Sequence, residues 1–101
     1  MDIEIFTYAA EYGDEEEVRR GCEAGLVNTY NQHGCTAALY AVCNNHLHIL
    51  KILTEYGVDL NILNTNGHTP LMLACWHEND TSQNIAKYLL ENGADSSLVD
   101  K

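Results

Sequence analysis

The chain is poor in basic residues. Its 101 residues include five Lys and Arg against fifteen Asp and Glu, which gives a formal net charge of −10. A surface this negative repels phosphate backbones and anionic lipid headgroups, because binding to either depends on clusters of Lys and Arg. The composition therefore predicts no nucleic-acid partner and no membrane partner. It favours a protein partner with a basic surface.

Long apolar runs are also missing. The longest, Pro70 to Trp76, is less than half of the roughly 18 residues that a membrane-spanning helix requires. The amino terminus, "MDIEIFTYAAEYGDEEE", lacks the positive flank and the apolar middle of a signal peptide. We therefore expect an intracellular protein, either cytoplasmic or nuclear.

The usual signatures of catalysis and cofactor binding are absent. The four cysteines include no C-x-x-C pair, so the zinc and thioredoxin-type patterns are missing. In a reducing compartment these thiols are expected to be unpaired. No glycine-rich phosphate loop, Ser/His/Asp set or carboxylate pair at a useful spacing occurs. The sequence predicts no enzymatic activity and no cofactor.

What the sequence does contain is an internal repeat. The segments "NQHGCTAALYA" (31–41) and "NTNGHTPLMLA" (64–74) carry Asn, Gly, Thr and Ala at the same positions, 33 residues apart. In the later segment, Gly67 can supply the positive φ of a tight turn, and Thr69 can cap a helix. Pro70 suits the first position of that helix because it has no N–H group to satisfy. Each segment is predicted to be a turn followed by a helix start.

The second half of each unit repeats as well. Ile49 to Asp59 match Ile85 to Asp95, 36 residues later, so three residues are inserted before the later copy. The insertion lies within the polar stretch 78–84, which predicts a loop. A fainter copy, from Ala9 to Gly25, places Gly21 inside a helix at an expected cost of about 1 kcal/mol. We interpret this first copy as an end cap.

The periodicity of apolar residues predicts three helix pairs. A single pair cannot bury its own apolar face, whereas stacked pairs can, so units of this size occur in arrays. With 46% hydrophobic residues, the chain suits one small domain. The helices are predicted near residues 4–12, 15–24, 37–44, 48–55, 70–77 and 83–92.

With its period of 33, Gly-x-Thr-Pro-Leu at 67–71, Ala74 and Gly-Ala-Asp at 93–95, the chain resembles ankyrin repeat proteins. The resemblance implies an all-α solenoid of stacked helix-turn-helix pairs joined by β-hairpin-like loops. It implies a single domain, 1–101, with repeats at approximately 2–30, 31–63 and 64–99. Ala37 and Ala38 replace the Pro-Leu pair, which predicts a looser helix start in the second repeat.

The resemblance also implies a function. Such proteins are generally not enzymes and act as adapters or scaffolds that bind a partner protein along the concave side, formed by the loop tips and the first helices. Aromatic residues on such a surface are expected to dominate the binding energy, with Tyr12, Trp76 and His77 as anchors. The positions mapped onto this side are Glu11, Tyr12, Gln32, His33, Cys35, Cys43, Asn44, Thr65, Asn66, His68, Trp76 and His77.

An alternative function is assembly. The sequence ends where a fourth repeat would begin, although arrays of this type usually end in a polar cap. In this alternative the carboxyl-terminal repeat is the contact surface and is covered by more of a longer array or by a second copy of the chain. The apolar face expected to be uncovered lies near Ile85, Leu89, Leu90, Leu98 and Val99.

Two further features of the sequence bear on metal binding and on modification. The histidines and cysteines on the concave side are zinc ligands by type, but their spacing across two repeats fits no ligand pattern, so no metal site is predicted. The segment "LTEYGVDLN" (53–61) resembles the pattern that asparaginyl hydroxylases recognise in ankyrin repeats, with Asn61 as the acceptor. The competing interpretation is that Asn61 stabilises its turn.

Overall fold

The structure is a computed structural model that describes residues 2–75 and 80–94. Trp76 and His77, like Leu98 and Val99, lie outside these ranges. The described part of the chain contains helices and connecting loops, with no β-strand. The helices are α1 (Ile3–Tyr12), α2 (Glu15–Glu23), α3 (Ala37–Cys43), α4 (Leu47–Glu55), α5 (Pro70–Cys75) and α6 (Asp80–Glu91).

The helices form two layers. In one layer α1 packs on α3 and α3 packs on α5, and in the other α2 packs on α4 and α4 packs on α6. Each first helix also packs on the second helix of its own pair. The predicted all-α stack of helix pairs is confirmed. The largest fully buried side chains come from both layers and include Phe6, Leu39, Ile49, Leu50, Leu53, Ile85 and Leu89.

Side-chain caps fix several helix starts. Asp14 Oδ1 accepts a hydrogen bond from the Glu17 backbone N–H at 3.3 Å, and the acidic first turn of α2 suits the positive end of the helix dipole. Thr69 Oγ1 accepts from the Met72 backbone N–H at 3.2 Å. The cap predicted for Thr69 is confirmed, and Gly67 has the positive φ of 79° expected of it.

The second repeat lacks the corresponding cap. Thr36 precedes α3 and is 1% exposed, yet its hydroxyl has no hydrogen-bond partner in the described structure. Thr69, also 1% exposed, holds the same position before α5 and makes its bond. The α3 start is therefore bonded less completely than the α5 start, as the missing Pro-Leu pair suggested.

We expect opposite effects from the same substitution at these two threonines. Thr69→Val should lower the free energy of unfolding by about 1 kcal/mol, because a cap is lost. Thr36→Val should leave it unchanged or raise it by up to about 1 kcal/mol, because valine removes a buried hydroxyl without a partner. Urea denaturation of both variants measures the difference. An equal loss in both would show that the Thr36 hydroxyl is bonded in solution.

Helix α6 begins earlier than the sequence predicted. Its first residue is Asp80, inside the stretch 78–84 that was predicted to be a loop. A polar composition does not exclude a helix, since Ser and Thr have intermediate helix propensity and an acidic residue is favourable in a first turn. The inserted residues thus extend the helix at its amino-terminal end.

Two of the three described residues on the apolar face predicted to be uncovered on the last repeat are buried. Ile85 and Leu89 are both 0% exposed, because that side of α6 packs against α5 and α4. Leu90 is 49% exposed. The prediction was therefore wrong for Ile85 and Leu89.

Gly21 has a packing role that the sequence did not indicate. A Cβ atom added to Gly21 would lie 2.0 Å from Cδ1 of Phe6, whose side chain is completely buried. The equivalent positions in the later repeats are Leu53 and Leu89. The glycine is required because the ring of Phe6 fills the space that a leucine takes elsewhere.

Candidate functional site

The first hairpin-like loop, residues 31–36, is organised by one asparagine. The Asn31 backbone N–H donates to the Cys35 carbonyl at 2.9 Å. The Asn31 Oδ1 atom accepts from the backbone N–H groups of His33 and Cys35 at 2.9 and 3.1 Å. Gly34, at φ 72°, completes the turn. These bonds hold Gln32 and His33 at the exposed tip.

The second loop, residues 64–69, has the same construction. The Asn64 backbone N–H donates to the His68 carbonyl at 3.0 Å. The Asn64 Oδ1 atom accepts from the backbone N–H groups of Asn66 and His68 at 2.9 and 3.0 Å. Thr65 and Asn66 are exposed at this tip. The repeated Asn at 31 and 64 therefore has one physical role in both loops.

The residues mapped onto the concave side differ in their exposure. Two of them, Trp76 and His77, lie outside the described residues. The half-buried ones are Glu11, Cys35 and His68. The exposed ones are Tyr12, Gln32, His33, Cys43, Asn44, Thr65 and Asn66.

A cavity of about 130 Å³ lies between α1 and the first loop. We call it the α1 cavity. It brings together Glu11 and His33, which the sequence had placed on the concave side, with five residues that it had not. Its lining is formed by Glu4, Thr7, Tyr8, Glu11, Asn31, His33 and Tyr40.

Helical spacing was the signal that could have revealed the α1 part of this cavity. Glu4, Tyr8 and Glu11 stand at positions i, i+4 and i+7 of α1, so they share one face of the helix. The resemblance points only to the end of the first helix, so it does not predict Glu4 and Tyr8.

Hydrogen bonds fix the floor of the α1 cavity. The Asn31 Nδ2 group donates to Thr7 Oγ1 at 3.2 Å and to the Tyr40 hydroxyl at 3.1 Å. The Gln32 backbone N–H donates to Glu4 Oε2 at 3.0 Å. The first loop, α1 and α3 are joined at this point, so the cavity is already formed in the free chain.

The α1 cavity is acidic and aromatic. Glu4 and Glu11 are half-buried. Neither takes part in an ion pair within the described ranges, where the ion pairs that form join other glutamates to Arg19 and Arg20 of α2. At its edge, the rings of Tyr8 and Tyr12 lie with their centroids 4.4 Å apart.

Tyr12 stays uncharged at neutral pH. A hydrogen bond with Tyr8 raises the pKa of Tyr12 above its ordinary value, and the negative charge of Glu11 adds to the effect. Because an ordinary tyrosine is already protonated at neutral pH, the ring keeps its hydroxyl hydrogen. Tyr12 therefore offers an aromatic face and a donor next to a carboxylate.

The described thiols are poor nucleophiles. Burial raises the pKa of Cys22 to about 11. Partial desolvation by neighbouring atoms raises the pKa of Cys35, which is half-buried, and of Cys43, although the surface of Cys43 is exposed. Since the thiolate is the reactive form, these shifts lower reactivity at neutral pH. In residues 2–75 and 80–94, no three His, Cys, Asp or Glu side chains are arranged to hold a metal ion.

Asn61 connects the second repeat to the third. Its Nδ2 group donates to the Gly93 carbonyl at 3.3 Å, and its backbone N–H donates to Asp59 Oδ1 at 2.9 Å. Asn28, one repeat earlier, donates to the Gly57 carbonyl at 3.3 Å in the same way. Asn61 is thus part of a repeated structural contact, and its hydroxylation stays a prediction.

His46 bonds to the neighbouring repeat and does not cap its own helix. It occupies the N-cap position of α4 but makes no side-chain cap bond there. Its Nε2 group lies 3.0 Å from the Glu11 carbonyl, a contact in which the ring N–H donates. The side chain therefore joins the end of α1 to the second repeat.

Comparison with known proteins agrees with this architecture. The family model described as "Ankyrin repeats (3 copies)" matches residues 5–100. The chain belongs to the ankyrin repeat family. No helix in the described ranges of this ankyrin repeat chain is long and apolar enough to cross a membrane.

Several curated proteins are similar to this chain. Protein phosphatase 1 regulatory subunit 27 from Mus musculus is 38% identical over 85 residues, which cover 82% of this chain and 53% of the relative. A putative ankyrin repeat protein from Rickettsia bellii is 34% identical over 74 residues, covering 73% and 44%. The Notch-regulated ankyrin repeat-containing protein from Xenopus tropicalis is 27% identical over 99 residues, covering 92% and 83%. The chain spans about half the length of the first two.

Proposed function

We propose that the chain is a non-enzymatic interaction module that binds a partner protein along its concave side. The observation that carries the proposal is the pair of hairpin-like loops, whose exposed tips are held by the internal hydrogen bonds of Asn31 and Asn64. Because the loop backbone is already ordered, binding a partner costs little further backbone entropy. Ankyrin repeats are a protein–protein interaction module, and the chain has three copies.

The partner is proposed to present a basic surface. The formal net charge of −10 creates a negative field around the whole chain, and Glu4 and Glu11 place unpaired charge on the concave side. Complementary charge raises the rate of association more than it raises affinity. Binding should therefore slow as salt concentration increases.

Protein phosphatase 1 is the first partner to test. Two relatives, from Mus musculus and Homo sapiens, are named as regulatory subunits of that enzyme, and each is at least 36% identical to this chain over 85 residues. The aligned region covers 53% of each relative, so a phosphatase interaction of this chain is part of the proposal. Purified phosphatase 1 catalytic subunit and a cell lysate are the two sources of partner for the experiment.

The test compares two triple variants on opposite sides of the molecule. The concave variant is Tyr12→Ala, His33→Ala and Asn66→Ala, and the control is Glu23→Ala, Lys51→Ala and Leu90→Ala. All six residues are exposed, and with histidine neutral neither set changes the formal net charge. Each immobilised protein is incubated with the partner sources, and retained proteins are identified by mass spectrometry.

We expect the wild type and the control to retain the same partner and the concave variant to retain at least tenfold less, since hot-spot truncations cost 2 kcal/mol or more. Equal retention by both variants would contradict the concave site. If only the control variant loses the partner, or if the immobilised chain captures only further copies of itself, the assembly alternative is favoured. The reason is that Leu90, in the control variant, is the described apolar residue exposed on the last repeat.

A further inference from the structure

We propose that the α1 cavity receives one arginine side chain of the partner protein. The inference rests on the proposed function and deepens it, because it specifies the chemistry recognised at one point of the concave side. It depends on the size, charge and lining of the cavity.

The α1 cavity is lined by two acidic residues. Glu4 and Glu11 both line the cavity, and their positions two turns apart on α1 separate their backbones by about 10 Å along the helix axis. Glu4 and Glu11 are both half-buried residues, and neither makes an ion pair within the described ranges. A cation that enters the cavity is attracted by both.

The aromatic lining favours arginine over lysine. Tyr8, which is 60% exposed, and Tyr40 both line the cavity. A guanidinium group is planar and weakly hydrated, so it can stack on a tyrosine ring while its N–H groups donate to carboxylates. An ammonium group lacks the planar shape and holds its water more strongly.

The size of the cavity limits what can enter. A volume of about 130 Å³ is well below the roughly 300 to 1,000 Å³ of sites for drug-sized molecules. A space of this size suits the end of one long side chain. The hydrogen bonds of Asn31 to Thr7 and Tyr40 keep this space open before binding.

The experiment is an NMR titration of the isotope-labelled chain at neutral pH and low salt. The probe is N-acetyl-arginine methylamide, and its control is the citrulline analogue, which has nearly the same shape but no charge. We expect saturable shifts at the side-chain amide of Asn31 and at the backbone of Tyr8 with the arginine probe. The citrulline probe should bind at least about tenfold more weakly, and a lysine probe more weakly than arginine.

Two charge-matched double variants separate the cavity from the general acidity of the surface. Glu4→Gln/Glu11→Gln removes the two carboxylates of the cavity, and glutamine at position 4 still offers an acceptor to the Gln32 N–H. Glu15→Gln/Glu23→Gln removes two exposed carboxylates elsewhere. We expect the first to weaken binding of the arginine probe by about tenfold and the second to leave it within about twofold.

Equal weakening in both variants, equal binding of the citrulline or lysine probe, or no saturable shift would each overturn the assignment. Amide spectra of the variants that match the wild type show that the fold is retained. The probe experiment needs no partner protein, so its failure leaves the partner-capture result unchanged. Conversely, a failed capture together with saturable arginine binding would contradict the proposed function and would leave the α1 cavity as an arginine site without an identified partner.

Discussion

Replacing Phe6 by alanine is expected to lower the free energy of unfolding by about 3 to 5 kcal/mol, because a completely buried ring is removed. Replacing Gly21 by alanine is expected to lower it by up to about 2 kcal/mol, although alanine is the better helix former. The added methyl group would overlap three ring atoms of Phe6, at 2.0, 2.6 and 2.7 Å. This overpacking, about 1 to 3 kcal/mol, exceeds or offsets the gain of about 1 kcal/mol in helix propensity.

The two positions are expected to compensate for each other. In the second repeat, Ala38 and Leu53 occupy the places of Phe6 and Gly21, and both are fully buried. The double variant Phe6→Ala/Gly21→Leu exchanges the large and the small residue and reproduces that pair. It should recover at least about 1 to 2 kcal/mol of the loss caused by Phe6→Ala, because contacting core residues are coupled by 0.5 to 3 kcal/mol.

Urea denaturation of the wild type, Phe6→Ala, Gly21→Leu and the double variant gives the coupling energy directly. Gly21→Ala is measured in the same way. Additive losses would show that Phe6 and Gly21 do not share one space in solution. Gly25→Ala on its own provides no test of packing, since no atom lies within 4 Å of an added Cβ there. Its φ of 86° makes it instead a control for the strain of a left-handed backbone.

The architecture could be predicted from the sequence because its signals are local. Gly67, Thr69 and Pro70 determine a turn and a helix start through their own backbone preferences, and α5 begins at Pro70 as expected. The role of Gly21 could not be predicted in this way. It depends on a ring 15 positions earlier in the chain, so the sequence indicates only a helix-interior glycine that costs about 1 kcal/mol.

The concave side was only partly predictable for a related reason. The resemblance located the loop tips and the ends of the first helices, and it included Glu11 and His33. The α1 cavity forms only when α1 has the right orientation against the first loop. The spacing of Glu4 and Tyr8 along α1 does not determine that orientation. The bonds from Asn31 to Thr7 and Tyr40 provide that orientation, and they join residues from three separate elements.

Asn31 is for this reason the polar residue with the largest expected effect on stability. It is 8% exposed, and its amide makes bonds to His33 and Cys35 through Oδ1 and to Thr7 and Tyr40 through Nδ2. Asn31→Ala should lower the free energy of unfolding by about 3 to 4 kcal/mol. Each lost bond contributes about 1 kcal/mol, and partners left buried and unsatisfied add to the cost.

Asn64→Ala is the matched control for Asn31→Ala. Asn64 is half-buried and holds its loop through the backbone N–H groups of Asn66 and His68, which can turn to water when the side chain is removed. Its loss is expected to cost about 1 to 2 kcal/mol. Urea denaturation measures both variants, and hydrogen exchange at the N–H of Cys35 and of His68 reports each loop separately. An equal cost at the two positions would mean that the bonds to Thr7 and Tyr40 contribute nothing. In that case the α1 cavity would be held open by α1 and α3 alone.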